Sequence, residues 1–589
     1  MKKNKTLQED FLEALESYKR RDFKKSELIC YKILNIDAFH FDSISLLATI
    51  SAVNRNFENA KVLILKALEI QPKNKTALNN LGTTYKELGD LKEAQKVYEK
   101  ILKIDSKHVN ANYNLGVVYY VLKDFKNAKK YLQKTVDIQK NYGLAFFNLA
   151  NVHVELREFK EALSCYQKAL EINPRIVGAH NNLGLLYRNL NDFENAIDCY
   201  QKAIKIQPNH VAAYHNMAQS YKEIGDFKKS IEAHEKAIKL EPDNLMNDHF
   251  LSELKKDILD FNLKEKIHKI LNKENPKITN LAYGNYLLAK YEKKEKNYDK
   301  ELNYLNIGHS YFGKSNKKKF DLGIKYCFDD VLQIEKNAEI KKTKNEDKLK
   351  IKPIFIFGVP RSGSTLIERI IVSGKKYIPI GEETGVIGNF IPAKVLEKQS
   401  LNLGKASELQ KELIEIYREK GLISKKYNYI FTDKSLDNFF YLRLIKEIFP
   451  EAKFVQCKRD CFSSIMSIFQ NNLSTLAWAH DLDNIFKYFN NYFEIVENYK
   501  KINPDTIYDI QFEEFISDPE KGSIDLMKYC DLPWDKKCLE FYKRKDLVSK
   551  TASSIQVREA IYKHPAERYL PYRKFLGKYE KIYPWFKIN

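Results

Sequence analysis

Residues 354–374 run Ile354-Phe-Ile-Phe357, then Gly358-Val-Pro-Arg-Ser-Gly-Ser-Thr365, then LIERIIVSG. The four apolar residues suit a strand buried in a parallel sheet. The glycine-bounded loop behind them opens a helix, and loop amides together with a helix N-terminus converge on an anion. The spacing is G-x4-G-S-T, with Ser364 where a nucleotide-hydrolysing loop carries lysine. The cation is supplied instead by Arg361, whose planar fork suits a pair of phosphoryl-type oxygens. Lacking the lysine and a clear magnesium site, the loop argues against a kinase.

Downstream, three further segments carry the same alternation. Gly381-Glu-Glu-Thr384 follows a strand-like YIPI, and Phe431-Thr-Asp-Lys-Ser435 ends the strand-like NYIF. Ala452-Lys-Phe-Val-Gln-Cys-Lys-Arg-Asp460 is a strand running into the helical CFSSIMSIFQ. Strands alternating with helical patterns predict an α/β domain with a central parallel sheet over 351–589.

Upstream, the chain repeats every 34 residues. Small residues recur at Ser26, Ala60, Ala94, Ala128, Ala162, Ala196 and Ser230, and a second series at Gly82, Gly116, Ala150, Gly184 and Ala218. Pro72, Pro174, Pro208 and Pro242 punctuate the units. Such a period means a solenoid of stacked helix pairs with a concave groove. The units resemble tetratricopeptide repeats, predicting a superhelix of about seven repeats over 7–243, a degenerate helical cap over 244–335 and a charged linker over 336–350. Asn80, Asn114, Asn148, Asn182 and Asn216 form a third series in the first helices. Their amides either clamp an extended peptide backbone or tie neighbouring helices together. The repeats of O-linked N-acetylglucosamine transferases carry Asn at the equivalent place and use it to hold polypeptides, a resemblance that favours the clamp.

The chain has 589 residues, a net charge of +21, 44% apolar and 30% charged residues. Those fractions are those of a soluble globular protein, and the length implies two or more domains. The lysines are scattered over helical segments, without a basic block on an aromatic platform, so nucleic acid is not an expected partner. A local basic excess around a pocket would attract a nucleotide or an acidic polypeptide. No run of about 18 apolar residues occurs, so no membrane span is expected. Cys30, Cys165, Cys199, Cys327, Cys457, Cys461, Cys530 and Cys538 are dispersed without metal-ligand spacing, which suits reduced thiols, a cytoplasmic location and no metal.

PRSGSTLIER, IGEET, KRDCFSSIMS and DPEKGSIDLMKYCDLPW together resemble the sulfotransferase fold. The likeness is to tyrosylprotein sulfotransferases and to bacterial proteins joining tetratricopeptide repeats to such a domain. It implies transfer of a sulfuryl group from 3′-phosphoadenylyl sulfate. By that resemblance Arg361, Ser362, Gly363, Ser364 and Thr365 hold the 5′-phosphosulfate, and Arg459 and Ser467 the 3′-phosphate. Glu383 corresponds to the general base, with Glu382 as the alternative. Lys434 corresponds to the lysine that steadies the transferred oxygens, and Ser553 or Ser554 to a serine of the transition-state clamp. Arg568 aligns with a late nucleotide-binding lysine. Ile380 stands where the tyrosine enzymes have a disulfide cysteine, Gly385 where they have a peptide-binding arginine, and Phe512 where a tyrosine touches the nucleotide.

The chemistry of the residues agrees with those roles. A tyrosine hydroxyl has a pKa near 10, so a base such as Glu383 must take its proton during attack. Arg361, Lys434 and a serine would stabilise charge on the peripheral oxygens of a loose transition state. The sequence thus predicts a sulfotransferase whose repeats present a polypeptide, with protein tyrosine as the leading acceptor. A glycan or small-molecule acceptor is the rival within that class, and a scaffold with an inactive transferase domain the rival outside it.

Overall fold

A computed structural model of the chain describes residues 2–341, 351–423, 429–544, 546, 547, 549, 551, 555–561 and 566–587. It divides into two compact units, Met1–His210 and Val211–Asn589. The seventh repeat is therefore grouped with the C-terminal unit, whereas periodicity alone groups it with the repeats before it.

In the first unit, pairs of antiparallel helices repeat through residues 2–206. The small-residue series is the contact surface: Ser26, Ala60, Ala94, Ala128, Ala162 and Ala196 are all fully buried. The second series is as tight. A Cβ on Gly82 would lie 2.6 Å from Tyr98 Cε1, and one on Gly184 2.6 Å from Tyr200 Cε1. A further period sits in the turn inside each pair. Arg21, Arg55, Gly89, Lys123, Arg157 and Asn191 all have left-handed backbone, with φ of 65, 58, 85, 63, 62 and 65°. The next residue caps the second helix: Asp22, Asn56, Asp124 and Asp192 each accept an amide three residues on. Non-glycine residues thus occupy a strained position because helix packing and the cap over-determine the turn.

Gly184→Ala is expected to lower stability by about 1–3 kcal/mol, since the buried Tyr200 ring has nowhere to move. Gly313→Ala, in helix Tyr298–Ser315 with nothing within 4 Å of the new Cβ, should raise it by up to about 1 kcal/mol. Urea denaturation of the two variants checks the contrast.

The second unit begins with the seventh pair, Val211–Ile224 and Phe227–Leu240, and continues through capping helices that include Ile278–Lys294 and Tyr298–Ser315. Its main sheet is wholly parallel, in the order β4 (Ile430–Asp433), β2 (Lys352–Phe357), β5 (Lys453–Lys458), β6 (Ile507–Gln511). β2 is central, with residues 353–357 buried. Its side chains alternate between two cores: Ile354 and Ile356 pack with Ile367, Ile370 and Val455, and Phe355 and Phe357 with Phe431 and Phe454. The second of those cores runs on into the capping helices at Leu245, Tyr286 and Phe312. Of the expected linker 336–350, residues 342–350 lie outside the described residues, and Glu339–Lys341 forms β1, paired in parallel with β3 (Asn402–Lys405).

The YIPI segment before Gly381 is not a strand. It runs beside β4 without a regular ladder because Pro379 has no N–H and a side chain takes one of the pairing positions. Thr432 N donates to Pro379 O at 3.1 Å, Gly381 N to Thr432 Oγ1 at 3.0 Å, and Lys434 N to Gly381 O at 3.0 Å. Only Glu382 and Lys434 form a bridge.

Candidate active site

The Gly358–Thr365, Gly381–Thr384, Phe431–Ser435 and Ala452–Asp460 segments lie at or beside the carboxyl ends of β2, β4 and β5, which is where parallel sheets bind ligands. The loop after β2 turns through Arg361, with φ of 71°, and Gly363, with φ of 94°, before helix Ser364–Val372 begins. Gly363 is required twice over, by its left-handed backbone and because a Cβ there would lie 2.4 Å from Phe512 Cδ2. Ser362, Ser364 and Thr365 are buried, and Ser362 Oγ has no hydrogen-bond partner. A loop with an unpaired buried hydroxyl and the amides of a helix start offers donors that suit an oxyanion.

Arg361 Nε donates to Ser467 Oγ at 3.0 Å, and its Nη2 to Gln556 Oε1 at 3.1 Å. Arg459 Nη1 donates to Arg361 O at 2.9 Å, while its buried Nε has no partner. The Arg459 guanidinium lies 5.0 Å from the centre of the Phe512 ring, the ring that also packs on Gly363. Ser467 is carried by helix Cys461–Phe469, whose end is fixed by the cap: His309 Nε2 is 2.8 Å from Phe469 O. Arg361, Ser364, Arg459, Ser467, Phe512 and Gln556 line one cleft of about 790 Å³, counting its open mouth. The loop and the Arg459/Ser467 pair, 98 and 106 residues away in sequence, thus meet.

Glu383 and Lys434 also meet. Glu383 has left-handed backbone, φ 48°, and its side chain is 47% exposed. Lys434 is buried and donates to Glu383 Oε1 at 3.1 Å. Burial opposes the lysine's charge, but Glu383, Glu382 and Glu368 around it outweigh that and hold its pKa above the usual value. Glu382 is directed differently: its side chain is 9% exposed, accepts from Ser549 Oγ at 2.9 Å and lies 3.9 Å from Arg369 Nη2. Of the two glutamates, only Glu383 is both solvent-accessible and beside the lysine. Ser553 and Ser554 lie outside the described residues, as does the Arg568 side chain.

Sequence reasoning passed over the supports of this pair. Asp433, fully buried, accepts from Tyr417 OH at 2.7 Å, Thr384 Oγ1 at 2.8 Å, Ser435 Oγ at 2.7 Å and Asn438 Nδ2 at 3.1 Å, tying the Glu383 loop to β4. Glu368, on helix Ser364–Val372, is fully buried and accepts from Thr432 Oγ1 at 2.7 Å. The only signal for it was a carboxylate in an otherwise apolar helix face.

Burial pushes the Glu368 pKa from 4.5 to about 7, with Glu382 adding to the rise and Lys434, Thr432 and Arg369 opposing it. The folded chain therefore binds an extra proton between those values, so this residue's contribution to stability falls as pH rises from 4.5 to about 7 and is then constant. Glu368→Gln should remove a slope of up to about 1.4 kcal/mol per pH unit. Unfolding free energies of both proteins at pH 5, 6, 7 and 8 check this.

The asparagines of the repeats are half-buried and partly engaged. Asn114 Nδ2 donates to Asn79 Oδ1 at 3.2 Å, Asn148 Nδ2 to Tyr113 OH at 2.9 Å, and Asn182 Nδ2 to Asn151 Oδ1 at 2.9 Å. Each bond ties one first helix to that of the preceding repeat, and one end of the Asn114 and Asn148 amides is left over among the described residues. Among those residues no helix is long and apolar enough to cross a membrane, and no His, Cys, Asp and Glu side chains group as a metal site.

Residues 353–536 match the family model described as the sulfotransferase family. Residues 143–176, 177–210 and 211–244 match one tetratricopeptide-repeat model, and 76–108 and 109–142 another. The chain is 31% identical over 319 residues to an uncharacterised protein of Aquifex aeolicus, covering 51% of this chain and 41% of that one. It is 27% identical over 195 residues to protein-tyrosine sulfotransferase 1 of Danio rerio, covering 31% and 54% respectively. With the Drosophila melanogaster protein-tyrosine sulfotransferase it shares 26% over 198 residues, or 31% and 38%. The chain thus spans about half or less of the length of these curated relatives. Among solved structures, YrrB, a tetratricopeptide-repeat protein with an unusual peptide-binding site, matches at 27% identity and a TM-score of 0.28, over 32% of this chain and 96% of that one. A run of tetratricopeptide repeats and, at residues 353–536, a sulfotransferase-family domain are therefore joined in this one chain.

Proposed function

We propose that this protein transfers a sulfuryl group from 3′-phosphoadenylyl sulfate to an acceptor hydroxyl, with protein tyrosine the leading acceptor. The observation that carries the reading is the cleft in which the Arg361 loop meets Arg459 and Ser467, beside a strand edge that ends in the Glu383–Lys434 pair. The loop amides, Ser362 and Thr365 suit the 5′-phosphosulfate, and the unpartnered Arg459 Nε with Ser467 suits a 3′-phosphate.

In this scheme Glu383 accepts the proton of the acceptor hydroxyl as its oxygen bonds to sulfur. The bond between sulfur and the phosphate oxygen breaks, and adenosine 3′,5′-bisphosphate leaves. Lys434, kept charged by three carboxylates, would steady the negative oxygen that develops, and Arg361 would supply a second cation. In this scheme the sulfuryl group passes directly from donor to acceptor, without a sulfated enzyme intermediate.

The identity with protein-tyrosine sulfotransferases supports the tyrosine acceptor, and the repeats support a polypeptide one. The amide ends left over at Asn114 and Asn148 suit an extended backbone lying along the first helices. Asn114, Asn148 and Asn182 replaced together by Ala should raise the KM for a long peptide at least about fivefold, as lost backbone hydrogen bonds imply, and leave kcat unchanged. To test the function, protein is incubated with donor labelled in the sulfuryl group and with a tyrosine peptide or a glycan, and the label is located. Label on tyrosine supports the reading. Label on sugar alone replaces tyrosine by the glycan reading, and none on either, without nucleotide binding, leaves the scaffold.

A further inference from the structure

Glu223 is the penultimate residue of helix Val211–Ile224, so its carbonyl has no partner inside the helix. Two donors from the far end of the chain take it. Ser549 N donates to Glu223 O at 3.1 Å, and Arg558 Nη2 donates to the same oxygen at 2.7 Å. A guanidinium at a helix C-terminus also meets the negative end of the helix dipole. Both donors belong to a segment that touches the active site. Ser549 Oγ binds Glu382, and Gln556, two residues before Arg558, accepts from Arg361.

The repeat side carries a matching adaptation at Gly225. The turn position it occupies holds Arg21, Arg55, Lys123, Arg157 and Asn191 in other repeats, so left-handed backbone alone does not demand glycine there. Gly89, with φ of 85°, has nothing within 4 Å of a built Cβ. Gly225, with φ of 86°, would place its Cβ 2.5 Å from Arg558 Cζ. Glycine at 225 makes room for Arg558.

We propose that the seventh repeat is a working part of the transferase site: its helix end at Glu223, through Arg558 and the space left by Gly225, positions the segment that brings Gln556 to Arg361 and Ser549 to Glu382. Arg558 and Gly225 are positioning residues, since neither contacts the cleft's oxyanion loop. A substitution inside a repeat should therefore change the donor site. The proposal rests on the donor reading above for its ligand and on the geometry alone for its mechanics.

The test uses the full chain, the nucleotide adenosine 3′,5′-bisphosphate, and the variants Gly225→Ala, Gly89→Ala, Arg558→Ala and Arg558→Lys. Gly225→Ala and Arg558→Ala should weaken nucleotide binding roughly five- to thirtyfold, an indirect effect smaller than the full loss of a charge-assisted hydrogen bond. Gly89→Ala bears the same backbone strain without the contact and should stay within about twofold, and Arg558→Lys, which keeps a donor for the carbonyl, should recover most of the loss. Amide exchange at 549, 551 and 555–561 should quicken in the first two variants and not in Gly89→Ala. Equal behaviour of Gly225→Ala and Gly89→Ala in both measurements overturns the proposal. If the unaltered protein does not bind the nucleotide, the donor reading fails, and the exchange comparison alone decides the positioning role.

Discussion

Glu383→Gln is expected to lower kcat by about two to four orders of magnitude, the usual contribution of a positioned general base. Donor affinity should stay within about twofold, because Glu383 lies outside the cleft lined by Arg361, Arg459 and Ser467. The amide keeps the hydrogen bond to Lys434 and the side chain is half-exposed, so stability should change little. Glu382→Gln makes the contrast. Its carboxylate is held between Ser549 and Arg369, and the variant should lose stability while retaining most turnover at permissive temperature. Steady-state kinetics with urea denaturation on both variants separate the roles. A Glu383→Gln enzyme with unchanged kcat would move the base to Glu382.

Lys434→Met is the second large effect, and it is double. The lysine is 1% exposed and is the cation that Glu383, Glu382 and Glu368 share. Removing it leaves Arg369 as the remaining cation beside Glu382 and Glu368, at a cost of up to about 3–5 kcal/mol. The loss should be smaller at pH 5 than at pH 8, because protonation neutralises Glu368 below about 7. Turnover of the folded fraction should also fall by about two to three orders of magnitude, as when one preorganised donor to a transition state is removed. A variant with full stability at pH 8 would show that the carboxylates do not depend on this lysine.

What was legible in the sequence follows from how local each signal is. The repeats declare themselves because Ala94 or Ala162 is small for a reason repeated every 34 residues. The loop and its helix are contiguous, so spacing alone exposes them. Arg459, Ser467, Glu383 and Lys434 came from resemblance, and their meeting depends on the parallel order of β4, β2, β5 and β6, which no single segment encodes. Asp433 and Glu368 went unseen because their roles rest on partners such as Tyr417 and Thr432 across the sheet. YIPI misled because alternation implies a strand, and the effect of Pro379 on its pairing appears only beside β4. The grouping of the seventh repeat is the extreme case. Its helices keep the common period, while its partners lie far along the chain, Arg558 being 335 residues from Glu223.

The central claim is that the Gly358–Thr365 loop and Arg459/Ser467 form one nucleotide site for a donor carrying a 3′-phosphate. Calorimetric titration with adenosine 3′,5′-bisphosphate, adenosine 5′-monophosphate and ATP with magnesium tests it most directly. The bisphosphate should bind with one site per chain, and the monophosphate at least about tenfold more weakly, since it leaves Arg459 without its charge-assisted partner. ATP with magnesium should bind more weakly than the bisphosphate, as a loop with Ser364 in place of lysine requires. Equal affinity for the two adenosine phosphates, or preference for ATP with magnesium, would contradict the account.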